Sequence, residues 1–284
     1  MLFSFFFLLF TSLQPPESSP LDDGSIYLTP VEIQQYGLSY VDSIFIDRDR
    51  LLTLMKQLEG KVYKAPINAR MTEKGIIPEK NGFTLDRRKF QEEFFKHYYR
   101  NLKTKLNVPV RPIFPKVDQG LLREISERQL GSYSTYYKPS NKERSHNIVL
   151  AAKAIDNTVV FPGETFSFNE TVGERTKERG YKRAPVIVKG ELAEDIGGGI
   201  CQVSSTLFNA ADIHGIQMIE RYTHSRKVPY VPPGRDATVS WWGPDFVFRN
   251  MFNEPILIRA RAKDGIMSVA VYTSETAEYF SGKQ

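Results

Sequence analysis

Residues 197–207 read Gly-Gly-Gly-Ile-Cys-Gln-Val-Ser-Ser-Thr-Leu, three glycines running into a helix. Val203, Leu207, Ala210 and Ala211 recur at helical spacing, which predicts an amphipathic helix from Gln202 to His214 closed by Gly215. Around it the pattern is of strands. Val159–Phe161, Thr165–Phe168, Pro185–Val188, Gln217–Tyr222, Asp236–Trp241, Phe246–Asn250, Ile256–Ala260 and Ile266–Tyr272 all have strand composition, and His146–Ile155 reads as a short helix. Strands outnumber helices and no strand–helix–strand alternation is present. The expected fold is therefore α+β with a mainly antiparallel sheet and a cysteine-bearing helix.

Consecutive glycines waste conformational entropy unless the backbone bends tightly or lies close to a ligand. Gly198 and Gly199 are thus candidates for contact with a substrate. Cys201 falls at the helix N-terminus, where free N–H groups and the dipole favour a thiolate. The backbone N–H of Gln202 is the natural donor to an oxyanion formed beside it. A buried structural cysteine at a glycine turn is the alternative.

A cysteine nucleophile needs a base, and the chain has 4 histidines. His214 lies on the same predicted helix, roughly 20 Å from Cys201 at about 1.5 Å per residue, so a helix-capping role suits it better. His97 sits on a basic helix in another part of the chain and is expected at the surface. His146 opens a helix far from the motif. His224, in Thr223-His224-Ser225-Arg226 after a strand, is the preferred base. Val231-Pro232-Pro233-Gly234-Arg235-Asp236 then delivers two opposite charges. Asp236 could orient the imidazole, and Arg235 could fork a substrate carboxylate, unless these two pair with each other or with other charges. Trp241-Trp242 suits either core or a sugar or peptide platform.

The rest of the chain bounds the function. The 284 residues carry a net charge of +5 and 1 cysteine, which excludes a disulfide framework, a Cys-rich zinc site and an iron–sulfur cluster. No metal or cofactor is called for. Leu2–Phe10 contains only Leu, Phe and Ser, is too short to span a bilayer, and resembles the apolar part of a signal peptide or a membrane anchor. Gln14–Gly24 is a polar, Pro-rich linker, so residues 1–24 are set apart and an extracytoplasmic location is expected. Residues 25–129 read as a small α+β domain, with helices at Asp47–Leu58 and Asp86–Leu106 and an edge strand at Val108–Pro115. Residues 130–284 form the second domain. From Lys61 to Arg128 there are 16 Lys and Arg against 8 Asp and Glu. This is either a solvated helix face or an attraction to a polyanion such as wall teichoic acid or phospholipid. Nucleic acid is not expected, since no aromatic–basic motif for it occurs.

The run GGGICQVSSTLFNAA, then ERYTHSRKVPYVPPGRDATV, PDFVFRN and PILI, resembles the VanW family of bacterial envelope proteins over about Leu130 to Thr273. Gly163–Asn169 and Gly173 fit its earlier segment; Ser204-Ser205-Thr206 stands where many members have Ser-Thr-Thr. Pro66–Ala69 through Asn81-Gly82 and the helix after it resemble a peptidoglycan-binding domain that often precedes it. The resemblance implies an L,D-transpeptidase that makes 3–3 cross-links between peptidoglycan stem peptides, with Cys201 as nucleophile. A cysteine hydrolase and a non-catalytic wall-binding scaffold associated with glycopeptide resistance are the alternatives.

Overall fold

The computed structural model describes residues 26–38, 45–188 and 191–279. The apolar start and the linker after it lie outside the described residues. The chain forms two compact units, one of residues up to Ile67 with Lys80–Lys116, the other of Asn68–Glu79 with Val117 onward. Every strand pair in the described residues is antiparallel, and helices are interspersed, so the fold is α+β.

In the first unit the helices Arg48–Val62 and Arg87–Tyr99 start at Asp47 and Asp86, whose carboxylates accept the N–H groups of Arg50 and Lys89, each at 3.0 Å. Leu51, Leu54, Met55 and Leu58 meet Phe90, Phe94 and Tyr98 in one core. The second helix stops well before Leu106 because Asn101 turns left-handed (φ 48°), a conformation asparagine tolerates. His97, expected at the surface, is buried instead: its Nδ1 bonds to the Glu93 carbonyl at 2.8 Å. Among the described residues Val110–Ile113 pairs with Gly82–Leu85 alone, as an edge strand does.

The second unit is built on a four-stranded sheet in the order Arg128–Tyr136, Ile266–Thr273, Ile256–Lys263, Thr158–Val160. Along Ile266–Thr273 the side chains of Met267, Val269, Val271 and Thr273 are buried in strict alternation, the period of a half-buried strand. The helix Ile200–Ala211 packs on the first two strands of that order, and Lys142–Ile155 packs beside it and on Ile256–Lys263. A three-stranded sheet (Ile216–Glu220, Val247–Asn250, Thr165–Ser167) and a hairpin (Arg183–Val188 with Glu191–Ile196) complete the surroundings of the cysteine helix.

Two expectations change here, for related reasons. The cysteine helix ends at Ala211, not His214, and its polar side is as buried as its apolar side: Ser204, Ser205 and Thr206 are all fully covered. Each hydroxyl is satisfied, Thr206 with Thr135 at 2.8 Å and Ser204 donating to the Ala237 carbonyl at 2.6 Å. Asp236–Trp241 does not form a strand, apart from a single bridge between Thr238 and Tyr222. The backbone of Ala237 spends its hydrogen bonds on the helix instead, with its N–H donating to Ser205 Oγ at 2.9 Å. Serines on the helix take the place of a neighbouring strand.

Candidate active site

The glycine turn places the cysteine. Gly197 and Gly199 adopt φ of 89° and 107°, a region that costs other residues dearly, and Gly199 is the N-cap of the helix. Gly198 has ordinary φ but no room: a Cβ there would lie 2.5 Å from the Ala184 carbonyl oxygen and 2.7 Å from that of Pro185. Its own carbonyl accepts from the Asn147 amide at 3.0 Å. Gly198 therefore packs the turn on the hairpin rather than facing the cavity. Gly197 and Gly199, by contrast, line the cavity and carry two arginine stems. A Cβ on Gly197 would meet the Cβ of Arg175 at 3.1 Å, and one on Gly199 would meet the Cγ of Arg144 at 2.9 Å.

Cys201 opens into a cavity of about 670 Å³ whose walls include His224, Arg144, Arg175, Tyr230 and Trp241. The thiol is partly buried and contacts the Val239 carbonyl at 3.4 Å and Thr238 Oγ1 at 3.8 Å. The His224 ring lines the same cavity, near enough to the thiol for each group to act on the other's charge. Its Nδ1 donates to Asp236 Oδ2 at 2.6 Å, which fixes the tautomer and leaves Nε2 for the sulfur. The same carboxylate oxygen accepts the backbone N–H of His224 at 2.6 Å. The two side chains are 7% and 8% exposed, so the contact is screened little by solvent.

Burial alone would push the Cys201 thiol up. The interaction with the neighbouring His224 ring, the backbone bond at Val239 and the Thr238 bond outweigh that and bring it below its ordinary value. His224 is the mirror case. Burial lowers it, but the neighbouring thiol, the bond to Asp236 and their charges raise it above the usual imidazole range. The two shifts favour the same state, a thiolate beside an imidazolium.

The structure brings Cys201, His224 and Asp236 together and separates other residues from them. Gln202 does not offer its backbone N–H to an oxyanion, because that N–H turns back to the Gly199 carbonyl at 3.1 Å and tightens the first turn. Its side chain is buried and holds Arg144 Nη2 at 3.0 Å, while its own amide donates to Thr135 Oγ1 and the Tyr136 carbonyl. Arg235 is not in the cavity wall. It pairs with Asp212, bonds to Asn209 at 2.7 Å and lies over the Phe208 ring. His214 stacks on Tyr279, and His146 bonds to the Gly180 carbonyl at 2.9 Å. Trp242 is 88% exposed at the cavity mouth, with Trp241 edge-on to it.

Three cavity residues escaped the sequence reading. Arg144 and Arg175 lie outside the motif runs that pointed to the site, Arg144 being 58 residues before Gln202. Tyr230 sits in the quoted ERYTHSRKVPYVPPGRDATV run, but no spacing singles it out. Burial and the nearby thiol charge hold its phenol far above the ordinary range, so it stays protonated. Among the described residues no group of three His, Cys, Asp or Glu side chains could hold a metal ion.

Residues 143–272 match the family described as VanW like protein. The uncharacterized protein YoaR of Bacillus subtilis is 51% identical over 270 residues, 95% of this chain and 89% of that protein. The chain belongs to the VanW family. Within that family it is also similar to the vancomycin B-type resistance protein VanW of Enterococcus faecalis, 36% identical over 109 residues that span 37% of this chain and 40% of that protein. No solved structure matches the chain. The family match contains Cys201, His224 and Asp236, so the whole constellation lies within the VanW segment. Among the described residues of this VanW protein no helix is long and apolar enough to cross a membrane.

Proposed function

We propose that this protein is an L,D-transpeptidase of the cell envelope, acting on peptidoglycan stem peptides outside the cytoplasm. The observation that carries the reading is the buried Asp236–His224 pair, whose imidazole lines the same cavity as Cys201, a cavity large enough for a peptide. The vancomycin-resistance name of the Enterococcus faecalis relative supports an envelope role.

The Cys201 thiolate attacks the carbonyl carbon at the L-centre of the diamino acid in a tetrapeptide stem. As the tetrahedral intermediate collapses, the C–N bond to the terminal D-Ala breaks and the His224 imidazolium gives its proton to the departing amine. The thioester is then attacked by the side-chain amine of a second stem. That amine passes its proton to His224, the C–S bond breaks, and the thiolate returns. Asp236 keeps the ring in the tautomer both steps require. The excess of basic residues before Arg128 supports attraction to anionic wall polymers or to the membrane surface.

Intact-protein mass spectrometry with disaccharide-tetrapeptide tests this. Acylated protein and 3–3 dimers are expected with tetrapeptide, neither with tripeptide alone, and no adduct with Cys201→Ser. Adduct followed only by hydrolysed tripeptide would make the protein a hydrolase. No adduct from folded protein would make it a wall-binding module.

A further inference from the structure

Arg144 and Arg175 both line the cavity that holds Cys201, and both have their stems laid on the glycine turn that leads into it. Each guanidinium is fixed by one neutral oxygen: Arg144 Nη2 by the Gln202 side-chain carbonyl at 3.0 Å, Arg175 Nη2 by that of Asn169 at 2.7 Å. Among the described residues neither makes an ion pair. Arg175 Nη1 is buried and among the described residues has no hydrogen-bond partner. Asp245 is near enough to act on Arg175, but its oxygens are bonded to Ser167 and to the Asn169 N–H. Glu174 and Asp195, also in the cavity wall, are exposed.

Buried charges are ordinarily paired. Here the Asp236 carboxylate is taken up by His224, and two guanidinium groups that line one cavity are left, among the described residues, without a carboxylate on either of them. We propose that Arg144 and Arg175 are a carboxylate clamp, and that the donor this site accepts is a peptide ending in a free carboxylate, borne by the residue that leaves. Guanidinium suits this task because its fork matches a carboxylate in two parallel bonds. This specificity rests on the acyl-transfer reading above. It would restrict cleavage to the last residue of a stem, since an internal residue presents an amide where the clamp needs an anion.

Two alkylating reagents test the clamp without any peptide. The same thiolate displaces iodide from iodoacetate and from iodoacetamide, so the ratio of the two rates cancels the thiolate fraction and reports attraction for the carboxylate. The ratio is expected to fall about tenfold in Arg175→Gln and in Arg144→Gln, the loss of one charge-assisted contact. In the unaltered protein, D-alanine should slow iodoacetamide alkylation and D-alaninamide should not, a measurement no misfolded variant can confound. An unchanged ratio in both variants, or equal protection by the two ligands, overturns the clamp. A tetrapeptide donor and its C-terminal carboxamide separate the two ideas. Failure of both donors to acylate Cys201 counts against the transpeptidase alone, because the alkylation ratio still decides the clamp.

Discussion

Replacing Asp236 with Asn removes one charge and almost no volume, so its consequences can be traced bond by bond. Asp236 Oδ2 accepts both the backbone N–H and the ring Nδ1–H of His224, each at 2.6 Å. A hydrogen bond to a charged group contributes about 1.5–3 kcal/mol and a neutral one about 0.5–1.5, so two such bonds made neutral cost about 2–3 kcal/mol. For a unit of this size that is a fall in Tm of about 4–12 °C. The chemical effect should be larger in proportion. Without the carboxylate the imidazolium loses a partner that raises it, and the thiol loses the positive charge that lowers it. The pH midpoint of iodoacetamide alkylation at Cys201 should therefore move up. Turnover in the proposed reaction should fall by about 10⁴-fold, as when the third member of a triad loses its charge. A lower Tm with an unmoved midpoint would show that Asp236 only ties the loop to His224, and the triad argument would be refuted.

His224→Ala should raise the alkylation midpoint further, because burial of the Cys201 thiol is then opposed only by the Val239 and Thr238 bonds; a lowered midpoint would contradict the thiolate–imidazolium pair. His214→Ala should leave the midpoint in place and cost under about 1 kcal/mol, since an exposed ring stacked on Tyr279 is all that is lost. Gly198→Ala should destabilise by about 1–3 kcal/mol, because the atoms its Cβ would meet are strand backbone that cannot rotate away. Thermal unfolding without loss of stability would mean that the hairpin moves aside freely.

The parts of this fold legible in the sequence were those with a period. The alternation of Ile266–Thr273 and the helical spacing of Val203, Leu207, Ala210 and Ala211 both mark buried faces. What was hidden depends on partners distant in sequence. Nothing local says that Ser204 and Ser205 are covered by Ala237, or that Arg128–Tyr136 pairs with Ile266–Thr273. The strand-like residues at Asp236–Trp241 misled because strand composition records burial, and Asp236, Ala237 and Val239 are buried without a sheet, Ala237 against the cysteine helix. In the candidate site, Cys201, His224 and Asp236 stood out as reactive types in a row of motifs. Arg144 and Arg175 did not, because an arginine facing a cavity looks in sequence like any surface arginine.

The buried serines also explain how a loop can hold the geometry of the candidate site. Residues 236–239 carry Asp236 and both non-histidine contacts of the thiol, yet they have almost no sheet to hold them. What holds them is the helix that carries Cys201. Ser205 Oγ donates to the Cys201 carbonyl at 2.6 Å and accepts the Ala237 N–H at 2.9 Å, so one hydroxyl spans the backbone of the nucleophile and the backbone beside Asp236. Ser205→Ala leaves the buried Ala237 N–H without its acceptor, at a cost of about 1–3 kcal/mol. It also releases the loop from the nucleophile. If the hydroxyl is what registers the two, alkylation should slow and its midpoint rise along with the loss of stability, and Ser205→Thr, which keeps the oxygen, should restore the midpoint even where added volume lowers Tm. Ser205→Ala that loses stability with an unaltered midpoint would show that the loop keeps its place through its other bonds, from Ser204 to Ala237, from Arg221 to Asp236 and from Thr238 to Tyr222.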